Sequence, residues 1–313
     1  MIITLSMNAA LDVTYRVPAL VPHTTHRVFD VAERPGGKGL NVARVLAALG
    51  HPVTVTGFAG GPTGAEVRRR LAAGPYAGRL TDALVPIAGQ TRRTVGVVDA
   101  GSGDTTMFNE PGPTVTPGEW ATLLGVYRGL LTAGGGADAV ALCGSLPPGV
   151  PVGAYAELIR EARTAGVYVL LDTDGPALRR GLAARPDLIK PNSEELTGLT
   201  GFAEPVRAAR DAHRRGARAV AASLGADGML VVSGDGCWRA APPARLAGNP
   251  TGAGDSAVAG LLSGVAEGLP WPARLARAVA LSAATVLAPA AGEYDPAAYG
   301  ELLPRVEVVP ATS

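Results

Sequence analysis

Apolar positions change their period along the chain, and each change marks an element. MIITLS opens with a short apolar run, so it predicts a first strand better than a secretory signal, which would need a basic n-region. In GGKGLNVARVLAALG (36–50), Val42, Val45, Leu46 and Leu49 recur at helical spacing, and Gly50 follows as a C-cap. VTVTGFAG (53–60) predicts a strand and TGAEVRRRLAA (63–73) a helix, with further helices over 117–132 and 151–165. Continuous apolar runs at 139–145, 167–173 and 217–225 predict buried strands, joined by 228–234, 236–242 and a short strand within 187–192. Such strands, separated by helices, imply a mostly parallel sheet covered on both faces.

Two stretches break this rhythm. DVTYRVPALVPHTTHRVFDVAER (12–34) alternates roughly and carries prolines, and TRRTVGVVDAGSGDTTMFNE (91–110) predicts two strands around a glycine-rich turn. Together they predict a small β lid over the main α/β body. The weakly polar run 278–291 is too short to span a bilayer and predicts a buried core helix.

Composition narrows the classes. The 313 residues suit two domains or one large α/β domain, and 47% hydrophobic content supplies a sizeable core. Lys plus Arg number 28 against 27 Asp plus Glu, so no strong field favours nucleic acid or an anionic membrane as partner. Cys143 and Cys237 have neither metal nor disulfide spacing. They predict packing residues in a reduced, cytoplasmic protein.

Candidate chemistry gathers where strands end, as ligands do in open α/β sheets. Polar or glycine-rich clusters fall at Asn8–Asp12, Gly36–Asn41, Gly144–Gly149, Lys190–Glu195, Ser223–Gly228 and Asn249–Asp255. GGKGLN brings backbone N–H groups and Lys38 near a ligand. It is no Walker A loop, because Ala32 and Gly39 occupy the positions where that pattern needs Gly and Ser or Thr. GAGDSA (252–257) matches G-x-G-x-x-G/A only superficially, since Asn-Pro precedes it and helix follows where a second strand with an acid should end. Lys190 and Asn192 can hold phosphate oxygens, and Glu195 can hold Mg²⁺ through water, although acids are also common at helix starts. Asp255 opens an apolar-faced helix, either as an N-cap or as a base beside an anion-binding helix terminus. The combination points to phosphoryl transfer, which needs positioning, charge neutralisation and a proton acceptor.

These motifs carry a resemblance that runs nearly end to end. SMNAALD (6–12), PGGKGLNVAR (35–44), TRRT (91–94), NEPGP (109–113), GSLPPGVP (144–151), KPNSEEL (190–196), SLGADG (223–228) and TGAGD (251–255) resemble the ribokinase-like (PfkB) carbohydrate kinases. Within that family, GSLPPGVP and NEPGP resemble the branch of 1-phosphofructokinase and tagatose-6-phosphate kinase. The resemblance implies one three-layer α/β/α kinase domain over 1–313, a lid from 12–34 and 91–110, and Mg·ATP as phosphoryl donor. By resemblance, Asp255 is the base, and the amides of Gly252, Ala253 and Gly254 are the anion hole. Asp12 and Asn41 bind sugar hydroxyls with Gly37 close by. Lys38 and Arg92, with Arg27 from the lid, hold the substrate phosphate. Lys190, Asn192, Ser223, Gly225, Gly228 and Thr251 serve the nucleotide, and Glu195 the Mg²⁺. The expected acceptor is fructose 1-phosphate, with tagatose 6-phosphate and fructose 6-phosphate behind it. A non-catalytic sugar-phosphate sensor is the alternative class, and exposed lid strands could pair two copies. Ala9 stands where relatives carry Pro, and Arg93 where many carry an apolar residue.

Overall fold

The computed structural model describes residues 1–288 and 292–311. Its strands in chain order are β1 (Ile2–Ser6), β2 (Ala10–Val17), β3 (Asp30–Gly36), β4 (Val53–Gly60), β5 (Leu80–Ile87), β6 (Arg92–Asp99), β7 (Thr105–Asn109), β8 (Ala139–Cys143), β9 (Tyr168–Asp172), β10 (Leu188–Ile189), β11 (Ala219–Ser223), β12 (Met229–Ser233), β13 (Gly236–Ala240) and β14 (Val308–Pro310). The helices are α1 (Lys38–Ala48), α2 (Gly61–Ala73), α3 (Pro117–Thr132), α4 (Ala154–Thr164), α5 (Gly175–Ala183), α6 (Ser193–Thr200), α7 (Pro205–Arg215), α8 (Ala253–Ala266), α9 (Trp271–Val286) and α10 (Pro296–Leu302).

The main sheet runs β14-β13-β12-β11-β10-β9-β8-β1-β4-β5. Its pairs from β11 to β5 are parallel, and β12, β13 and β14 join antiparallel. Alternation along each buried strand feeds two cores, as the period of two requires. Ile3 and Leu5 of β1 join Val140 and Leu142 of β8 under α3 to α7. Ile2, Ala139 and Ala141 face the other way, against α1, α2, α8 and α9. The expected helix over 278–291 is the second half of α9; residues 289–291 lie outside the described residues.

The lid stretches form a separate four-stranded sheet, β3-β2-β6-β7. Its register pairs Asp12 with Arg34 and Thr94, so these three side chains share one face. Sequence pattern does not announce β5, α5 or α7. β5 is a sheet edge with a half-exposed face and carries Pro86, so it lacks the continuous apolar signature of its neighbours.

Candidate active site

Parallel strands deliver their last residues to one edge of the sheet. β1 leads to Asn8, β8 to Gly144, β9 ends on Asp172, and β10 leads into Lys190. At this edge α1 and α8 also begin, and both starts depend on glycine. Gly37 precedes α1 with φ 93° and Gly252 precedes α8 with φ 85°, conformations that a side chain disfavours.

The N-cap of α8 is therefore Gly252, without a side-chain cap, and Asp255 lies in the first turn as its third residue. The capping alternative does not hold. The Asp255 carboxylate is buried and accepts one hydrogen bond, from Asn41 Nδ2 at 2.8 Å. Burial lifts its pKa from 3.8 to about 6, against the Lys38 charge, which pulls down; Asp172 adds to the rise, while Asn41 and Lys190 oppose it. The Ala253 amide donates to the Pro250 carbonyl at 3.1 Å in the entering turn. Among the described residues, the amides of Gly252, Gly254 and Asp255 have no acceptor, and they lie at the positive end of the helix. An anion hole of Gly252, Ala253 and Gly254 would thus use Ala253 only if its turn bond is shared.

Asp172 is the residue that sequence reasoning missed. It is buried, and one carboxylate oxygen lies 3.3 Å from Lys38 Nζ and 3.5 Å from Lys190 Nζ. Its other oxygen is buried without a partner. The signal was available: Asp172 ends a continuous apolar strand on the edge where the other clusters lie. Lys190 is itself buried, and its ammonium sits 3.5 Å from where a Cβ on Gly254 would stand. Burial works against the Lys38 charge, yet Asp172, Asp255 and Glu195 outweigh it and hold that ammonium above its ordinary pKa. Lys38 thus faces the carboxylates of Asp172 and Asp255.

Asn192 and Glu195 form a reciprocal capping box at the start of α6, with bonds of 2.8 Å each way. Glu195 Oε2 accepts from Asn192, and its second oxygen remains for other use. No cluster of three His, Cys, Asp or Glu side chains able to enclose a metal occurs among the described residues. The orphaned Asp172 oxygen and the free Glu195 oxygen do fit Mg²⁺, which keeps several waters and takes one or two carboxylates plus phosphate oxygens.

On the lid side, Asp12 occupies the space a side chain on Gly36 would need: a Cβ there would lie 2.0 Å from its carboxyl carbon. Burial raises Asp12 to about 6, while Arg92, Arg44 and the Thr94 hydroxyl pull the other way. Arg92 donates to the carbonyls of Asn8 at 3.2 Å and Glu110 at 3.1 Å, which orients it toward the crevice. Arg93 points to the opposite face and pairs with the Glu110 carboxylate at 3.5 Å. Asn41 Oδ1 is buried without a partner, ready to accept from a hydroxyl. Arg27 lies in the exposed connection between β2 and β3 and is not brought to these residues. Thr251, expected beside the nucleotide, lines a small cavity with Asp12, Thr94 and Asn249 under the lid.

Beyond Asp255 runs a groove of about 780 Å³. Asn192, Ser223, Gly225 and Gly228 line it together with Ala253 and Gly254. Gly228 has φ 84°, and a Cβ there would lie 2.0 Å from the Ala240 carbonyl oxygen. The opposite wall is apolar, with Val279 and Ala283 of α9. Those two had no sequence signal, since they read as ordinary core positions of a buried helix. The groove offers an apolar slot at one end and helix-terminus amides at the other, a pairing that suits a nucleotide.

Comparison with known proteins agrees with this geometry. The family model for pfkB family carbohydrate kinases matches residues 5–298. A 1-phosphofructokinase from Rhodobacter capsulatus is 42% identical over 295 residues, covering 92% of each chain. The fold is similar to Escherichia coli phosphofructokinase-2 in complex with fructose-6-phosphate, with a TM-score of 0.88, 30% identity, and 97% and 98% of the two chains covered. Arabidopsis thaliana ribokinase complexed with ribose and ATP shares the fold at a TM-score of 0.73 and 21% identity, over 96% and 98% of the chains. With its two-sheet architecture, its glycine-started α8 and its buried acid, the chain belongs to the pfkB family of carbohydrate kinases.

Proposed function

We propose that this kinase transfers a phosphoryl group from ATP to a phosphorylated ketohexose, with fructose 1-phosphate as acceptor and fructose 1,6-bisphosphate as product. The carrying observation is the buried Asp255 beside unpartnered α8 amides, in the helix start whose Thr251 lines the lid cavity and whose Ala253 and Gly254 line the long groove. Similarity to the R. capsulatus 1-phosphofructokinase supports the choice of sugar. Fructose 6-phosphate is the second reading, favoured by the structural likeness to phosphofructokinase-2. A sensor without turnover is disfavoured because the acid and its amides are both retained.

In this reading Asp12 and the orphaned Asn41 oxygen accept from sugar hydroxyls, and Arg92 holds the phosphate the sugar already carries. Asp255 takes the proton from the attacking hydroxyl, and Asn41 fixes the carboxylate by its 2.8 Å bond. Mg²⁺ neutralises phosphate charge when bound, and Asp172 and Glu195 would hold it, largely through water. Lys38 and Lys190 face the transferring phosphate, while the α8 amides receive its developing charge. Ser223, Gly225 and Gly228 take the nucleoside end. The whole chain acts as one kinase domain in the cytoplasm, with the small sheet as lid. The lid exposes Phe29, Val31 and Phe108, an apolar surface suited to pairing two copies.

The test is kcat/KM for ATP-dependent turnover with fructose 1-phosphate, fructose 6-phosphate and tagatose 6-phosphate. Highest kcat/KM with fructose 1-phosphate is expected. Preference for either 6-phosphate overturns the substrate, and binding without turnover of any of them overturns the enzyme reading.

A further inference from the structure

A cavity of about 560 Å³ lies outside the crevice, between the root of the lid, α1 and α2. That volume is ordinary for a small-molecule site. Its walls carry four guanidiniums, from Arg34, Arg44, Arg69 and Arg70, and the rings of Tyr76 and Tyr294. Among the described residues, two carboxylates share those walls, Glu33 and Glu293. Arg34 Nε and Arg44 Nη2 both converge on one Glu293 oxygen, at 2.9 Å each. Arg70 is held by Glu33 and by Glu66 at 2.5 Å each, and Arg69 by the same Glu66 at 2.6 Å, so three carboxylates meet the four guanidiniums. Four guanidiniums against three carboxylates leave one positive charge beside apolar and aromatic surface, which is the chemistry that recognises a phosphate or carboxylate on an apolar body.

The cavity also reaches the sugar side. Arg34 lines both this cavity and the small one containing Asp12. Arg44 donates to the Pro35 carbonyl at 3.2 Å, next to the glycine that makes room for the Asp12 carboxylate. Its charge is one of those that keep Asp12 ionised. An anion that recruits Arg34 and Arg44 weakens that field and loads the strand beneath Asp12.

We propose that this cavity is a regulatory site for a small anionic ligand, a phosphate or carboxylate on an aromatic or apolar body, whose occupancy raises KM for the sugar phosphate while leaving kcat nearly unchanged. The KM half rests on the reading of Asp12 as a sugar ligand; the binding half does not. Calorimetric titration of the full chain with phenyl phosphate and with benzoate tests it, with ADP and fructose 1-phosphate saturating the crevice. Saturable binding is expected, weakened at least tenfold by Arg69→Ala combined with Tyr76→Ala. Both residues are solvent-accessible and outside the catalytic machinery, so basal kcat should hold. Tighter phenyl phosphate assigns the site to phosphates, and tighter benzoate to carboxylates. No binding of either, loss of binding when the crevice is filled, or equal binding by the double variant overturns the site. Binding that leaves KM unchanged overturns the regulatory role. If Asp12→Asn itself leaves KM unchanged, the sugar-ligand reading fails while the binding result stands.

Discussion

Replacing the proposed base should make the protein more stable as it makes it less active. In Asp255→Asn the charge disappears but the shape stays, and the substituted amide oxygen can still accept from Asn41 Nδ2. The folded protein raises the Asp255 pKa from 3.8 to about 6, chiefly by burial and despite Lys38. Holding the proton more tightly when folded means that ionisation at neutral pH costs about 3 kcal/mol of stability. The sign follows from the order of ionisation. Below 3.8 both states are protonated and Asp255 costs nothing. Between 3.8 and 6 the unfolded chain ionises first, and above 6 the cost is complete. Urea unfolding at pH 8 should therefore show the variant about 3 kcal/mol more stable, and about half that at pH 5. In the same preparation kcat should fall about 10²- to 10⁴-fold, with sugar binding largely kept. Equal stability at pH 8, or a gain that does not shrink at pH 5, would refute the buried-charge account. Intact kcat would refute the base.

Acid titration should separate the two carboxylates. Asp12 and Asp255 both sit near 6, so on the acid side kcat/KM should lose about tenfold per pH step for each, and Asp12→Asn should remove one of those steps while the sugar's own phosphate titration stays common to both profiles. An unchanged slope would count against Asp12 as an ionised sugar ligand. Asp172→Asn should leave Lys190 buried without its partner and cost about 3 kcal/mol in urea unfolding. Adding Lys190→Met should recover most of the stability but none of the activity, whereas additive losses would show that the pair is not coupled. Gly36→Ala should displace the Asp12 carboxyl and lower kcat/KM about ten- to a hundredfold, mainly through KM. A wild-type KM would mean that Asp12 has another place to go.

The elements legible in the chain are those whose side chains have a single kind of neighbour. α1 carries its large apolar residues, Leu40, Val42, Val45 and Leu46, where it meets the core it shares with the sheet and α8, and β8 and β9 are continuous because both faces are covered. β5 escaped because a sheet edge mixes the two environments. The site divides along a similar line. Gly37, Gly228 and Gly252 are readable because their backbone conformations leave little choice of residue. Arg92 and Arg93 are chemically identical neighbours, and only strand register turns the first inward. Asp172 was readable as the acid ending an apolar strand, but its partners needed the sheet order that sets β9 between β8 and β10, which brings Lys38 and Lys190 onto one carboxylate from positions far apart in sequence. The capping question about Asp255 had the same limit. Local sequence allowed cap or base, and the choice turned on Gly252 taking the left-handed cap position. That places the carboxylate within the first turn of the helix, where it has Asn41 for a partner and caps none of the α8 amides.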